Sequence, residues 1–504
     1  MSSNRKNTPP TVAIIGTGFS GICAAIQLEK QLGAKVRLFE ISKDLGGTWN
    51  VNRYPGAACD VPSHLYSFSF EQNPSWTERY SSQEEIHKYL QGVARKYHVY
   101  EKTTFETEVI RADWLETKQQ WQVRWRNVND HEVVGEDIFD YVLSGVGGLR
   151  IPNVPEEYTG FSGPIVHTTY WDSSIDYTNK RIAIIGSGAT AIQVIPEIRK
   201  VATHVYSYQR TPAWVNPRIQ YSYSSIIKFM FRWIPFVMRF YRYYLYWLHE
   251  SRFPFFGYHK KFGGLVRKKF VESMEGRLKS AGRPDLIPLL VPDYPPGCKR
   301  ICQSEFYLEA MAQKNVSVIR TGIDEIRCRT LVDKEGNEIE VDVLILATGF
   351  NVEDILGNLE VYGRNGQGLT EYFEKNKITA YKTVAIHGFP NFFTLLGQGS
   401  GLGHNSIIQI IEAQTEYVIK CIKGMKKKNL AAIEPKQSAQ EKYFSNVQKG
   451  FDGTVWKSGC KSWYRSNDTG EIYTLWNGSV TSFWMSLRKP AFRDFIQYKQ
   501  VKPN

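Results

Sequence analysis

A carboxylate at Glu40 and a guanidinium at Arg210 stand at matching places in this chain, each closing a stretch that begins with a glycine-rich turn. The first turn, Gly16-x-Gly18-x-x-Gly21, lies in "TVAIIGTGFSGICAAIQLEK", and the second, Gly186-x-Gly188-x-x-Ala191, lies in "KRIAIIGSGATAIQVIPEI". Alone, such a turn is weak evidence, but each here follows an apolar strand and opens a helical pattern. The first glycine permits a tight turn, the second lets backbone approach a pyrophosphate, and the third position lets helix and strand pack closely. The phosphates meet the positive end of the helix. Contacts are therefore expected from Gly16, Gly18, Phe19, Ser20 and Gly21 in one site, and from Gly186, Ser187, Gly188, Ala189 and Thr190 in the other. Glu40, about 20 residues past the first turn, can bind both hydroxyls of an adenosine ribose and would repel a 2′-phosphate. That site suits FAD or NAD and not NADP. The second segment ends in Gln209-Arg210 in place of an acid. Arginine answers a 2′-phosphate by charge and by its fork of donors, so this site suits NADPH.

The elements that must hold these residues repeat. "FDYVLSGVGGL" (139–149) and "VDVLILATGF" (341–350) share a pattern in which an aspartate precedes an apolar strand and a glycine follows: Asp140 to Gly147, Asp342 to Gly349. Each would close one dinucleotide-binding half and pass the chain to the next. The expected fold is α/β, with two Rossmann-like domains and a helical insertion. The expected boundaries are 1–146 for the first part of the FAD-binding domain, 147–221 for the first part of the NADP-binding domain, 222–294 for the insertion, 295–351 for the return to the NADP domain, and 352–504 for the return to the FAD domain.

Two longer stretches narrow the chemistry. Residues 46–60, "GGTWNVNRYPGAACD", fit [AG]-G-x-W-x(4)-[FY]-P-[GM]-x(3)-D at every fixed position. Residues 161–172, "FSGPIVHTTYWD", fit F-x-G-x(3)-H-x(3)-W-[PD]. With the two turns, these resemble the type I Baeyer–Villiger monooxygenases, a branch of the class B flavoprotein monooxygenases, from about residue 10 to about 490. The segment "FPNFFTLLGQGSGLGHNSIIQIIEAQ" (389–414) looks like the family's late FAD-domain segment.

The resemblance implies an FAD- and NADPH-dependent enzyme that inserts one oxygen atom of O2 next to a ketone carbonyl through a C4a-peroxyflavin, giving an ester or lactone. It implies that Arg300, in "PPGCKRICQSEF", is the cation that stabilises the peroxide anion and the adduct oxyanion, with Asp60 aiming it. Lys299 resembles a second 2′-phosphate ligand beside Arg210. Gly47, Thr48, Trp49 and Tyr66 resemble flavin contacts, with Asp60 beside them. Trp463 resembles a late-loop ligand of the nicotinamide-side ribose, and Val109 is expected as a further cofactor contact. His167 has no acid or nucleophile next to it in the sequence and is expected to organise the joint between the domains. Three rivals remain. A flavin monooxygenase oxygenating N or S atoms would share both turns. A disulfide reductase would need a C-x-x-C or C-x(4)-C pair that is absent. A retained cofactor-binding sensor or scaffold would show no NADPH-dependent oxygen uptake.

Composition agrees with a globular enzyme: 42% of the 504 residues are apolar and 14% aromatic. The formal charge of +13 fits phosphorylated cofactors. No nucleic-acid motif is present, and the basic runs at 259–261, 267–269 and 426–428 are short enough for solvated faces. No metal site is expected. The seven cysteines show no paired framework, so a reducing, cytoplasmic setting is expected, with a monomeric chain. Residues 224–256 are apolar and aromatic but carry too many charges to span a membrane. They are expected as buried helices of the insertion. An interfacial membrane helix with snorkelling Lys228, Arg232, Arg239 and Arg242 is the lesser reading.

Overall fold

All but the edges of the run Thr11–Ile15 are buried, which only a central strand of a sheet covered on both faces allows. The computed structural model, which describes residues 8–354, 356–466 and 469–500, places it there. It pairs in parallel with Lys35–Phe39 on one side and Tyr141–Ser144 on the other. Phe392–Thr394 and Thr103–Thr104 complete this parallel sheet at its two edges. The helices Phe19–Leu32 and Ile407–Lys428 share its apolar core. An antiparallel sheet of Thr107–Leu115, Gln120–Asn127 and Val134–Phe139, edged by Glu360–Tyr362, packs beside it.

The second half repeats the plan. Arg181–Ile185 is central between His204–Tyr208 and Val343–Leu346, with Val316–Ile319 and Ile165–His167 at the edges, all parallel. The internal echo has a structural cause. Asp140 accepts hydrogen bonds from Thr11 N (2.9 Å) and Thr11 Oγ1 (3.0 Å), so it ties the start of one central strand to its neighbour. Asp342 accepts from Arg181 N (2.8 Å) in the other half, and the Arg181 guanidinium adds an ion pair at 3.0 Å. The paired glycines Gly147 and Gly349 both have positive φ, 76° and 83°.

From there the two crossovers run side by side. Asn153 N donates to Gly349 O (2.9 Å) and Asn351 N to Ile151 O (2.8 Å), so the two connections between the halves form one ribbon. His167 sits on it. Its Nδ1 accepts from Thr169 N (3.3 Å), which leaves the proton on Nε2 to donate to Gly349 O (3.1 Å). Burial holds this imidazole below the usual histidine range, consistent with a neutral ring in that tautomer.

Between Val215–Asn216 and Cys302–Gln303, which pair in parallel, stand the helices of the insertion. Ser224 caps Ser225–Trp233 by accepting from Ile227 N (3.3 Å), and Pro235 opens Pro235–Glu250. The expectation of buried helices fails here, since both lie at the surface. Phe231 and Leu245 enter the core, while most of the other aromatic side chains face outward. Arg242 does not snorkel either: its Nη1 donates to His64 O at 2.6 Å. The expectation of unpaired cysteines also fails, because Cys298 and Cys460 form a disulfide across a separation of 162 residues. Sequence distance hid the pairing; the fold brings their Cα atoms to 6.4 Å. No helix among the described residues is long and apolar enough to cross a membrane.

If Asp140 anchors the central strand, Asp140→Ala leaves the Thr11 amide without its acceptor. Chemical denaturation should then show a loss of about 1–3 kcal/mol, and an unchanged transition would contradict this role.

Candidate active site

A cleft of about 1070 Å³ opens between the two halves. Thr48, Trp49, Asp60 and Tyr66 line it from the first half, and Gly186, Ser187, Gly188, Ala189, Thr190, Gln209, Arg210, Lys299 and Arg300 from the second. Trp463 and Tyr464 close one wall from the late loop.

Arg300 stands where these surfaces meet. Its Nε donates to Asp60 Oδ2 (2.9 Å), and its Nη2 donates to Oδ1 (2.8 Å) and Oδ2 (2.6 Å). Two parallel contacts fix the plane of the guanidinium as well as its place. The Asp60 charge holds Arg300 above its already high pKa, so it stays cationic. Around the pair the surroundings suppress other ionisation. Burial pushes the Cys302 thiol and the Tyr464 phenol up to about 12, although Arg300 pulls both down. Arg300 reaches its place because Cys302 N donates to Trp214 O (2.8 Å), which locks the following strand to Val215–Asn216.

On the first-half wall, Trp49 Nε1 donates to Tyr66 OH (3.1 Å), and the Phe19 ring packs edge-on against Tyr66 at 5.2 Å. Phe19 thus serves the site from the core beneath it. Gly16, Gly18, Ser20 and Gly21 form the strand-end turn, with Glu40 and Gly47 packed against it, and none of these residues lines the cleft. A Cβ on Gly21 would lie 1.9 Å from Gly16 O, and Gly18 faces the Gly47 Cα. Only glycine permits the first approach. Glu40 is buried, accepting from Thr17 N (3.0 Å) and Ser42 N (2.9 Å). Val109 lies within the adjoining antiparallel sheet, in the apolar cluster that also holds Phe39 and Trp121.

On the opposite wall, Arg210 is exposed and Lys299 lies near it. Burial and the Arg210 charge hold Lys299 below the usual lysine range. Two cations that destabilise each other in a cleft favour an anion between them. Gln209 is buried, and its Oε1 has no partner in the protein.

Both turns fit a phosphate. The helices Phe19–Leu32 and Ala189–Ile198 begin at Gly18 and Gly188 with no side-chain cap and no acid in the first turn. Other helices divide between serine-capped starts, such as Gln83–Lys96, and uncapped ones, such as His259–Ser280, so what marks these two is the glycine turn that leads into them. Uncapped amides at the two turns leave donors for a pyrophosphate.

The pattern at 46–60 does more than line the cleft. Tyr54 OH donates to Gln193 Oε1 (2.9 Å), and Gln193 Nε2 donates to Ala58 O (2.9 Å). A Cβ on Gly56 would come within 2.5 Å of Gln193 O. The fixed tyrosine and glycine of the pattern therefore clamp the first half onto the helix Ala189–Ile198 of the second. Sequence reasoning missed this clamp and Tyr464; the signals were the fixed Tyr54 and Gly56 and the adjacency of Tyr464 to Trp463. Trp463 itself is 45% exposed at the rim, against the Tyr464 ring.

Arg210→Ala should raise the KM for NADPH far more than that for NADH, and equal effects would contradict a 2′-phosphate role. Because the lysine must be charged to bind the phosphate and its pKa is depressed, the KM for NADPH should climb as pH rises. The climb should begin below the ordinary lysine value of about 10.4. Lys299→Arg should flatten it. His167→Ala should retain bound flavin and slow reduction by NADPH while steady-state turnover falls. A normal turnover rate would return His167 to an ordinary linker residue.

Known proteins share this arrangement. The flavin-binding monooxygenase-like family model matches residues 10–275. A Baeyer–Villiger monooxygenase of Pseudomonas aeruginosa is 40% identical over 475 residues, covering 94% of this chain and 88% of its own length. One from Streptomyces coelicolor is 35% identical over 496 residues, covering 98% and 93%. Among solved structures, an oxidized steroid monooxygenase bound to NADP superposes with a TM-score of 0.85 at 26% identity, covering 98% of this chain and 100% of that one. The closed crystal structure of cyclohexanone monooxygenase gives 0.84 at 25%, with the same coverage. With a family model over residues 10–275 and relatives of this identity along nearly the whole chain, the protein belongs to the flavin-binding monooxygenase-like family, in its Baeyer–Villiger branch.

Proposed function

We propose that this chain uses FAD and NADPH to insert one oxygen atom of O2 beside a ketone carbonyl, giving an ester or lactone. The observation that carries the reading is Arg300, clamped by Asp60 and facing the cleft where both nucleotide walls meet. Bound FAD, reduced by NADPH, supplies the activated oxygen. The protein supplies position, charge and dryness. Arg300 lies where negative charge must be held, first on the attacking oxygen and then on the oxyanion formed from the ketone. Asp60 prevents that guanidinium from wandering. Thr48, Trp49 and Tyr66 shape the flavin wall; Arg210 and Lys299 take the 2′-phosphate of NADPH, and the uncapped turns take the pyrophosphates.

The domain assignment follows. Residues 1–146 and 352–504 form the FAD-binding domain, 147–221 and 295–351 the NADP-binding domain, and 222–294 the insertion. The working unit in this reading is a monomer. Five of the seven cysteines remain thiols and four of them are buried, which supports a cytoplasmic setting. The Cys298–Cys460 bond is the exception.

A panel of ketones, amines and sulfides with mass analysis tests the reaction. Gain of one oxygen by a ketone supports it, and oxidation confined to amines or sulfides overturns it. Arg300→Ala should keep bound FAD and lose ester formation by about 10²–10³ in rate. Lysine should rescue poorly, since a point charge on a flexible stem cannot match a bidentate fork. Asp60→Ala should give a milder version of the same defect. Parent-rate ketone conversion by Arg300→Ala, followed by stopped flow, would place the chemistry around another cation.

A further inference from the structure

The insertion carries an apolar face that nothing among the described residues covers. Along Ser225–Trp233 and Pro235–Glu250, the side chains of Ile226, Phe229, Trp233, Phe236, Phe240 and Trp247 point outward, with Ile226 73%, Trp233 67% and Phe240 69% exposed. Within each helix a spacing of three, four or seven residues sets them on one side, Ile226, Phe229 and Trp233 on the first and Phe236, Phe240 and Trp247 on the second, and these form the outward stripe. Tyr243 and Tyr244 widen it. The opposite face holds Phe231 and Leu245 in the core, with Val237 and Met238 packed against it, so the stripe is not a helix awaiting its fold. Single exposed apolar residues need no explanation, but a contiguous aromatic face does.

A second element extends it. Tyr246 OH and Thr481 Oγ1 lie 2.7 Å apart, which docks the helix Val480–Ser486 beside Pro235–Glu250. That helix exposes Trp484 and Met485 and is followed by exposed Arg488 and Lys489.

Charge identifies the occupant. From Ser224 to His249 the sequence contains no aspartate or glutamate, while Arg232 and Arg239 are exposed beside the stripe and Lys228 is half-buried. Glu250, the next acid, is buried. A second copy related by two-fold symmetry would set these arginines against their own equivalents, with no acid on the face to separate them. An anionic lipid surface meets both demands: headgroups for the cations, and the headgroup–acyl boundary for tryptophan and tyrosine rings. Both helices carry charges and neither is long enough to span, so they would lie in the plane of the interface.

We propose that this face, formed by the helices Ser225–Trp233, Pro235–Glu250 and Val480–Ser486, docks the protein peripherally on an anionic bilayer. The docking is independent of the oxygenation chemistry, because none of the stripe residues lines the cleft.

The test is cosedimentation of the full-length, flavin-loaded protein with vesicles of phosphatidylcholine alone or mixed with phosphatidylserine. Binding should be several-fold stronger to the mixed vesicles and should weaken with salt. The triple variant Trp233→Ser, Phe236→Ser, Phe240→Ser should lose vesicle binding yet keep the parent NADPH oxidation rate, which also shows that it is folded. Arg232→Gln with Arg239→Gln should abolish the preference for phosphatidylserine. Light scattering after gel filtration gives the alternative: a dimer that the triple variant converts to monomer would assign the face to a second copy and overturn the proposal. Failure of the parent protein to bind either vesicle would overturn it as well.

Discussion

The Asp60–Arg300 pair joins side chains 240 residues apart and contributed by different halves of the molecule. The partly exposed Arg300 guanidinium keeps its plane and place only while the Asp60 carboxylate meets it bidentately. The two halves must therefore keep one relation to each other for this pair to form, and three separate devices hold it. The Tyr54–Gln193 clamp fixes the first half to a helix of the second. The ribbon of residues 151–153 and 349–351 ties the crossovers together, with His167 donating into it. The parallel pair Val215–Asn216 and Cys302–Gln303 delivers Arg300 from the far side of the insertion. All three reach the cleft wall, through Tyr54, Gly349 and Cys302, and together they set where its charge lies.

The insertion is riveted as firmly at its inner end. Burial acts to raise the Glu250 carboxyl, but the His404 imidazole 3.5 Å away and the hydrogen bond from the Thr481 amide (2.8 Å) outweigh it and hold the group near 2. Asn405 Nδ2 at 3.0 Å and Val480 N at 3.2 Å complete the set. One carboxylate thus anchors the end of a surface helix, the loop before Ile407–Lys428, and the start of Val480–Ser486.

Much of this was legible in the chain because local chemistry dictated it. Strand, glycine turn and helix at 11–32 and 181–198 are contiguous, and Asp140 and Asp342 mark the same strand-end bond in each half. What escaped reading depends on distance or on facing. The partner of Tyr54 is 139 residues away, and Cys298 and Cys460 are no neighbours in sequence. In "FVMRFYRYYLYW", aromatic residues cover every side of the helix, so periodicity cannot tell that Arg239 faces outward and Arg242 inward. Only the acceptor at His64 decides that. Glu40 shows the reverse case: its place was readable, but its hydrogen bonds with Thr17 and Ser42 show that the turn itself holds the carboxylate ready.

The disulfide has a mechanical side. Cys298 lies two residues before Arg300, and Cys460 three before Trp463, so the rim tryptophan and the cleft cation hang from a single covalent knot. A hinge upstream of 460 would drag the arginine off its carboxylate with every swing. Any gate built from this loop must therefore pivot downstream of the knot, in the few residues that carry Trp463, and its travel is set by the length of that short arm. With this bond formed, a movement of the rim downstream of Cys460 would leave the alignment at the cleft floor unchanged.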